Sequence, residues 1–232
     1  MPWGIKDIPD LSEKIILITG ANSGLGLETT KSLLKRNATV IMACRSKENA
    51  DKLKERLLLN TCTGKIETVE LDLSDLETVV HVSSQIVSKF RRLDILINNA
   101  GIMAPPKTIS MQGFEIQFAV NHLAHMALTL QLLPIMKDIK DSRVVTVSSG
   151  IQYFAKINWS DLQGDQSYDR WSYYAQSKLA NVMFALELDC KLRKKGMQTK
   201  SLLAHPGLAK PNLHSKSVSL SNSVYEGFAY KI

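Results

Sequence analysis

Apolar residues in this chain come in short runs of two kinds, and the two kinds alternate along its length. Ile15, Ile16, Leu17 and Ile18 form an unbroken run, the mark of a strand buried on both faces. A glycine-rich stretch follows, and then a helical spacing through Leu27, Thr30, Leu33 and Leu34. Residues 39–43 read as a second strand and 48–59 as a charged amphipathic helix. Residues 66–71 alternate as a third strand, and 76–90 carry apolar positions at helical spacing. A buried strand over 93–97 precedes a long helical region over about 114–136, which stops near Pro134. Residues 143–147, 172–195 and 199–204 complete the pattern as strand, helix and strand.

Strands alternating with helices at this spacing predict an α/β fold, a doubly wound parallel sheet with helices on both faces. Nothing in composition or repeats splits the chain, so residues 1–232 are expected to form a single domain. Right-handed crossovers put every strand's C-terminal end on one edge, where open α/β sheets bind ligands. Gly20, Arg45, Asp72, Asn98, Ser149 and Pro206 all fall there.

Composition narrows the picture a little. Hydrophobic residues make up 44% and charged residues 22%, ordinary values for a globular protein. The formal charge of +7 raises nucleic acid or an anionic surface as partners, but the basic residues are scattered. The densest group (Lys191, Arg193, Lys194 and Lys195) ends a predicted helix, where cations complement the helix dipole. No nucleic-acid partner is expected. No apolar stretch approaches the roughly 18 residues of a membrane span, and the N-terminus lacks a signal-peptide pattern. Cys44, Cys62 and Cys190 are too far apart for a Cys-x-x-Cys site, which argues against structural zinc and fits a cytoplasmic location. The methionines 103, 111, 126 and 136 read as core.

Candidate chemistry begins at the glycine turn Gly20-Ala21-Asn22-Ser23-Gly24-Leu25-Gly26. A strand, a glycine turn and a helix aim backbone N–H groups and a positive helix end at a phosphate. The spacing is Gly-x-x-x-Gly-x-Gly rather than the general dinucleotide fingerprint. The second strand ends at Arg45, where NAD-binding sheets commonly carry an acid. An arginine can pair with a 2′-phosphate, so NADP(H) is favoured over NAD(H); a surface arginine is the alternative. Tyr174 and Lys178 are spaced i, i+4 and share a helix face. A neighbouring ammonium favours the phenolate and is expected to draw the tyrosine pKa down. The spacing alone is a weak signal; its weight comes from its place between the fifth and sixth strands. Ser149, 25 residues before Tyr174, could hydrogen-bond a substrate carbonyl or simply close a turn. Asn121 sits inside a helical apolar pattern, where asparagine either bonds locally or has a task. His122, His125 and His205 lack metal-ligand spacing and read as packing or local hydrogen bonds.

Taken together, TGANSGLG (19–26), NNAG (98–101), Asn121, Ser149, YAQSK (174–178) and HPG (205–207) resemble the short-chain dehydrogenase/reductase family, in family order along nearly the whole chain. The resemblance implies a Rossmann fold in which the turn from Gly20 through Asn22, Ser23, Gly24, Leu25 and Gly26 holds the cofactor. It implies that Asp72, with Leu73 beside it, contacts adenine, and that Asn98, Ala100 and Gly101 line the adenosine side. Tyr174 would move the hydroxyl proton, Lys178 would lower its pKa and hold the nicotinamide ribose, Ser149 would orient the carbonyl, and Asn121 would support a proton relay. Pro206 and Gly207 would meet the nicotinamide end. Within the family, VNHLAH, SYYAQSKLANVMFALEL and AHPGLAK are similar to the retinol dehydrogenase and WW-domain oxidoreductase branch.

Two departures stand out. Pro211 occupies a position where the family usually has Thr or Ser, and it supplies no donor to the cofactor. The chain stops at Ile232, where the family continues to a seventh strand, so the sequence is expected to be a fragment or to lack part of its pocket. The N-terminal membrane anchor of many retinol dehydrogenases is also not evident. The expectation is an NADP(H)-dependent oxidoreductase acting on a small lipophilic carbonyl or alcohol, with no membrane span and a homo-oligomer left open. The alternative is a catalytically impaired NADP(H)-binding or interaction protein on the same scaffold.

Overall fold

The computed structural model describes residues 4–59 and 63–207. Among these, six strands form one wholly parallel sheet: β1 (Ile15–Thr19), β2 (Thr39–Cys44), β3 (Lys65–Glu70), β4 (Ile95–Asn98), β5 (Arg143–Val147) and β6 (Lys200–Ala204). Their order across the sheet is β3-β2-β1-β4-β5-β6. The order reverses at β1 and β4, which opens a crevice above their C-terminal ends. Ile16 pairs in register with Ile95 on one side and Val40 on the other.

Two layers of helix cover the sheet, and strand alternation decides which residue meets which layer. Ile16, Ile18, Val40 and Met42 pack with Leu34 of α1 (Gly24–Leu34) and Leu57 of α2 (Lys47–Leu59). Leu17, Ile41, Leu96 and Val144 face the other way, onto α3 (Leu76–Lys89), α4 (Ile116–Ile135) and α5 (Arg170–Lys194). Each fully buried leucine or isoleucine in these clusters contributes about 1.5–3 kcal/mol.

Three local departures from the expected boundaries have visible causes. β4 begins at Ile95 because Asp94 ahead of it uses its carboxylate to accept from Ile15 N–H, Lys14 and Arg92. α5 begins at Arg170 because the Asp169 side chain accepts from Ser172 N–H, a helix cap. α4 widens into a π-helical turn at Ala119–Leu123.

α4 is apolar and long enough to cross a membrane by length and composition, with mean hydropathy 1.2. Here it is a core helix: Val120, Ala124, Leu128 and Leu132 join the sheet's cluster. Its buried polar residues Asn121, His125 and Thr129 are all hydrogen-bonded within the fold. Met136 is core as expected, whereas Met111 is exposed. At the far end of α5, Lys191 and Arg193 pair with Glu187 and Asp189 one turn back while sitting at the negative helix end.

Candidate active site

The glycine turn closes over the end of β1. Gly20 (φ 66°) and Gly24 (φ 51°) take left-handed conformations that favour glycine. Gly26 is demanded by space instead: a β-carbon there would overlap the carbonyl oxygen of Gly20 and lie 2.6 Å from Asn99 Nδ2. Ser23 is the N-cap residue of α1 but makes no capping hydrogen bond with its side chain. The first N–H groups of α1 are therefore left for a ligand. Cys44 lies beneath the turn and accepts from Ala21 and Asn22 N–H, while burial pushes its thiol up to about 11. Arg45, the next residue, is exposed beside the crevice.

Thr19 joins this turn to the one after β4. Its hydroxyl accepts from the N–H groups of Asn99 and Ala100, both at 2.9 Å. Asn99 Nδ2 returns a bond to the Thr19 carbonyl at 2.8 Å. Gly101 follows, with no room for a side chain: a β-carbon would sit 3.1 Å from Asn121 Oδ1 and 3.4 Å from Lys178 Nζ. Asn121 is fully buried in the π-turn. Its amide clamps Ile102, accepting from its N–H at 2.8 Å and donating to its carbonyl at 3.0 Å, and also donates to Ser177 Oγ.

Three groups converge at the start of α5. Ser149, at the end of β5, lies beside the Tyr174 phenol and draws it down. Lys178 Nζ lies 5.8 Å from the Tyr174 ring centroid and donates to the Val147 carbonyl at 3.4 Å. Burial draws the Lys178 ammonium down to about 8. Burial pushes the Tyr174 phenol up, with Ser149 only partly opposing it. The lowered tyrosine pKa expected from a neighbouring ammonium is thus reversed: the phenol is shut away from water, which disfavours its anion. Met103, Ala104, Ile151 and Trp171 form an apolar wall against Tyr174, with the Trp171 ring edge-on at 6.4 Å.

The family model for short chain dehydrogenases matches residues 14–219. The chain belongs to the short-chain dehydrogenase family. Among curated relatives it is 40% identical to retinol dehydrogenase 14 of Mus musculus over 86% of this chain and 62% of that one. It is 38% identical to retinol dehydrogenase 12 of Bos taurus over 86% of this chain and 63% of that one. The chain therefore spans about three fifths of the length of these relatives. Among solved structures, an uncharacterised protein from Mycobacterium paratuberculosis superposes with a TM-score of 0.81 at 39% identity, covering 97% of this chain and 82% of that one.

The remaining residues singled out in the sequence are placed less uniformly. Asn98 is buried and donates to Thr129 Oγ1 at 2.9 Å, while its Oδ1 has no protein partner. Asp72 Oδ1 accepts from Ser74 N–H and Oγ, so half of its carboxylate is already engaged. Leu73 is packed in the core, leaving only its backbone for a ligand. Pro206 and Gly207 are exposed just past β6, and His205 Nε2 would meet a β-carbon on Gly150 at 3.2 Å. Pro211 and Cys62 lie outside the described residues. Sequence reasoning missed Thr19, Asn99 and His125 as site builders. The available signal was their place inside the motifs: Thr19 precedes the first glycine, and His125 lies one helical turn beyond Asn121.

Proposed function

We propose that this chain carries out NADP(H)-dependent interconversion of a lipophilic aldehyde or ketone and its alcohol. The observation that carries the reading is buried Tyr174 with Lys178 buried beside its ring and Ser149 next to it. A hydroxyl pair can hold a carbonyl oxygen, and a phenol kept protonated by burial is ready to give its proton to that oxygen as it becomes an alkoxide. In the opposite direction Tyr174 accepts the alcohol proton. Lys178 keeps a positive charge nearby below about pH 8.

The residues present fit a nicotinamide dinucleotide. α1 offers uncapped N–H groups to a diphosphate, and Gly26 lets the turn close. Gly101 lets Asn121 and Lys178 stand close to the turn, where a β-carbon would crowd both. Asp72, Leu73, Asn98 and Ala100 would flank adenosine, and Pro206 and Gly207 the nicotinamide end. When bound, the nicotinamide supplies or takes up the hydride. Arg45 supports the 2′-phosphate form, because it is exposed at the end of β2 where an acid would select NAD(H). The wall of Met103, Ile151 and Trp171 supports an apolar substrate, as do the names of the retinol dehydrogenases it resembles.

The test is NADPH oxidation by purified protein with a panel of lipophilic aldehydes, ketones and quinones. Turnover that drops about a hundredfold or more in Tyr174→Phe supports the reading. NADPH binding without turnover on any member sinks it in favour of a non-catalytic binding protein.

A further inference from the structure

His125 is the most deeply buried titratable group near the site that the proposed chemistry leaves without a task. It lies on α4 just past the π-turn, and its two ring nitrogens have different partners. Nδ1 is 3.1 Å from the backbone carbonyl of Asn121, and Nε2 is 2.8 Å from Thr19 Oγ1. A carbonyl can only accept, so Nδ1 must carry the hydrogen. A neutral ring then leaves Nε2 bare, and the Thr19 hydroxyl, which has one hydrogen to give, donates it to Nε2 at 2.8 Å in preference to the Ile97 carbonyl at 3.4 Å. The same hydroxyl oxygen accepts from Asn99 and Ala100 N–H, so each group in the chain has a compatible partner. The ring has no water to charge it: burial draws His125 down to about 4, and the nearby Lys178 and His122 push the same way.

We infer that His125 is a positioning residue, whose imidazole ties the Asn121 backbone in the π-turn to Thr19 at the end of the cofactor strand. The link matters because its two ends belong to different parts of the site. Thr19 fixes the turn after β4, hence Gly101. Asn121 fixes Ile102 and stands with Lys178 around the space over Gly101. Without the bridge, α4 and β1 can settle independently, and the π-turn loses a hydrogen bond that holds it open. A leucine of similar bulk would fill the cavity but remove the imidazole's bonds to the Asn121 carbonyl and the Thr19 hydroxyl. The inference rests on the proposed oxidoreductase reading for its effect on rate, and on hydrogen bonding alone for its geometry.

The geometry is tested first, by nitrogen NMR of the imidazole in the full chain. The expected result is a neutral ring protonated on Nδ1, unchanged from pH 8 to pH 5. A ring protonated on Nε2, or one titrating near its ordinary value, overturns the inference. The rate effect is tested with His125→Leu and His125→Asn, since an asparagine amide can take the Nδ1 place. Leucine should lower kcat on the order of a hundredfold, the cost of an ångström-scale misplacement, with KM and NADPH affinity within about threefold. Asparagine should recover about tenfold of that loss. Unchanged kcat, a loss expressed in KM, or no recovery with asparagine overturns it. If the leucine variant does not fold, the imidazole NMR of the unaltered chain decides, with the outcomes already named. Absence of turnover in the unaltered protein would count against the proposed activity, while the NMR result would still decide the bridge.

Discussion

Lys178 and Tyr174 sit one helical turn apart on α5, with the ammonium 5.8 Å from the ring centroid and both side chains closed off from water. Burial acts on them in opposite senses. It pushes the phenol up and draws the ammonium down to about 8. Tyr174 therefore keeps its proton through the neutral range, and Lys178 is the group that titrates first on the alkaline side. The kcat for carbonyl reduction should be flat below about pH 8 and fall above it as the ammonium discharges. Lys178→Met should be slow at every pH and lack this limb. A limb that survives the substitution would assign it to another group.

The same burial makes Lys178 costly to the fold. Its ammonium gives up a proton near pH 8 when folded and near 10.5 when unfolded. The unfolded chain thus binds more protons between those values, and stability rises with pH across that window. Below pH 8 the full penalty applies, about 3 kcal/mol. Lys178→Met should unfold at higher urea than the unaltered protein at pH 7, and the two should converge towards pH 10. A variant no more stable at pH 7 would show that hydrogen bonding to Val147 outweighs the cost of burying the charge.

Much of the fold was legible because its strands are apolar runs too short for helices, while its helices carry apolar residues at helical spacing. What escaped was set by single side chains acting across the chain. Asp94 delays β4, Asp169 advances α5, and the Asn121 amide bonds to Ile102, so the π-turn depends on residues far apart in sequence. The grouping of Ser149, Tyr174 and Lys178 was implied by the family resemblance, whereas spacing alone left Ser149 open between a turn and a substrate contact. The direction of the tyrosine shift was not readable, since it depends on Met103, Trp171 and Ile151 closing over the ring. Leu73 and Asp72 show the same limit: only packing reveals that one side chain is core and the other is half engaged by Ser74.

Arg45 follows β2 and is exposed beside the crevice. If it pairs with a 2′-phosphate, Arg45→Ala removes a charge-assisted contact of about 1.5–3 kcal/mol. NADPH affinity should fall about ten- to a hundredfold while NADH affinity stays level, read by fluorescence titration. Equal weakening of both would place the arginine elsewhere in the site, and no change in either would make it a surface residue.

Two of the turn glycines differ in what they forbid. Gly24 is left-handed but has open space around it, so Gly24→Ala should cost about 1 kcal/mol of strain and leave the turn in place. Gly26 has an ordinary φ but no space, and a methyl group there collides with the Gly20 carbonyl and the Asn99 amide. Gly26→Ala should therefore abolish NADPH binding even where circular dichroism shows a folded chain. NADPH affinity lost equally in both variants would mean that backbone conformation, not the clearance under Gly20, decides the cradle.

Asp94 lies at the opposite edge of the sheet from the site and is 1% exposed. Arg92 grips it with two hydrogen bonds, at 2.6 and 2.9 Å, while Lys14 and the Ile15 N–H take up its remaining capacity. Burial opposes the charge, but these donors outweigh it and hold the carboxyl below its ordinary value. Removing the acid leaves a buried N–H and two cations facing one another at the junction of β1 and β4. Asp94→Ala should cost about 3–5 kcal/mol by urea unfolding. Arg92→Ala should cost less, because the half-exposed guanidinium leaves behind a carboxylate that still has Lys14 and Ile15. The NADPH affinity of the folded Asp94→Ala protein should match that of the unaltered chain, since the substitution lies a full strand length from the cofactor turn. A large loss of affinity would instead mean that strain at the junction reaches Thr19 along β1.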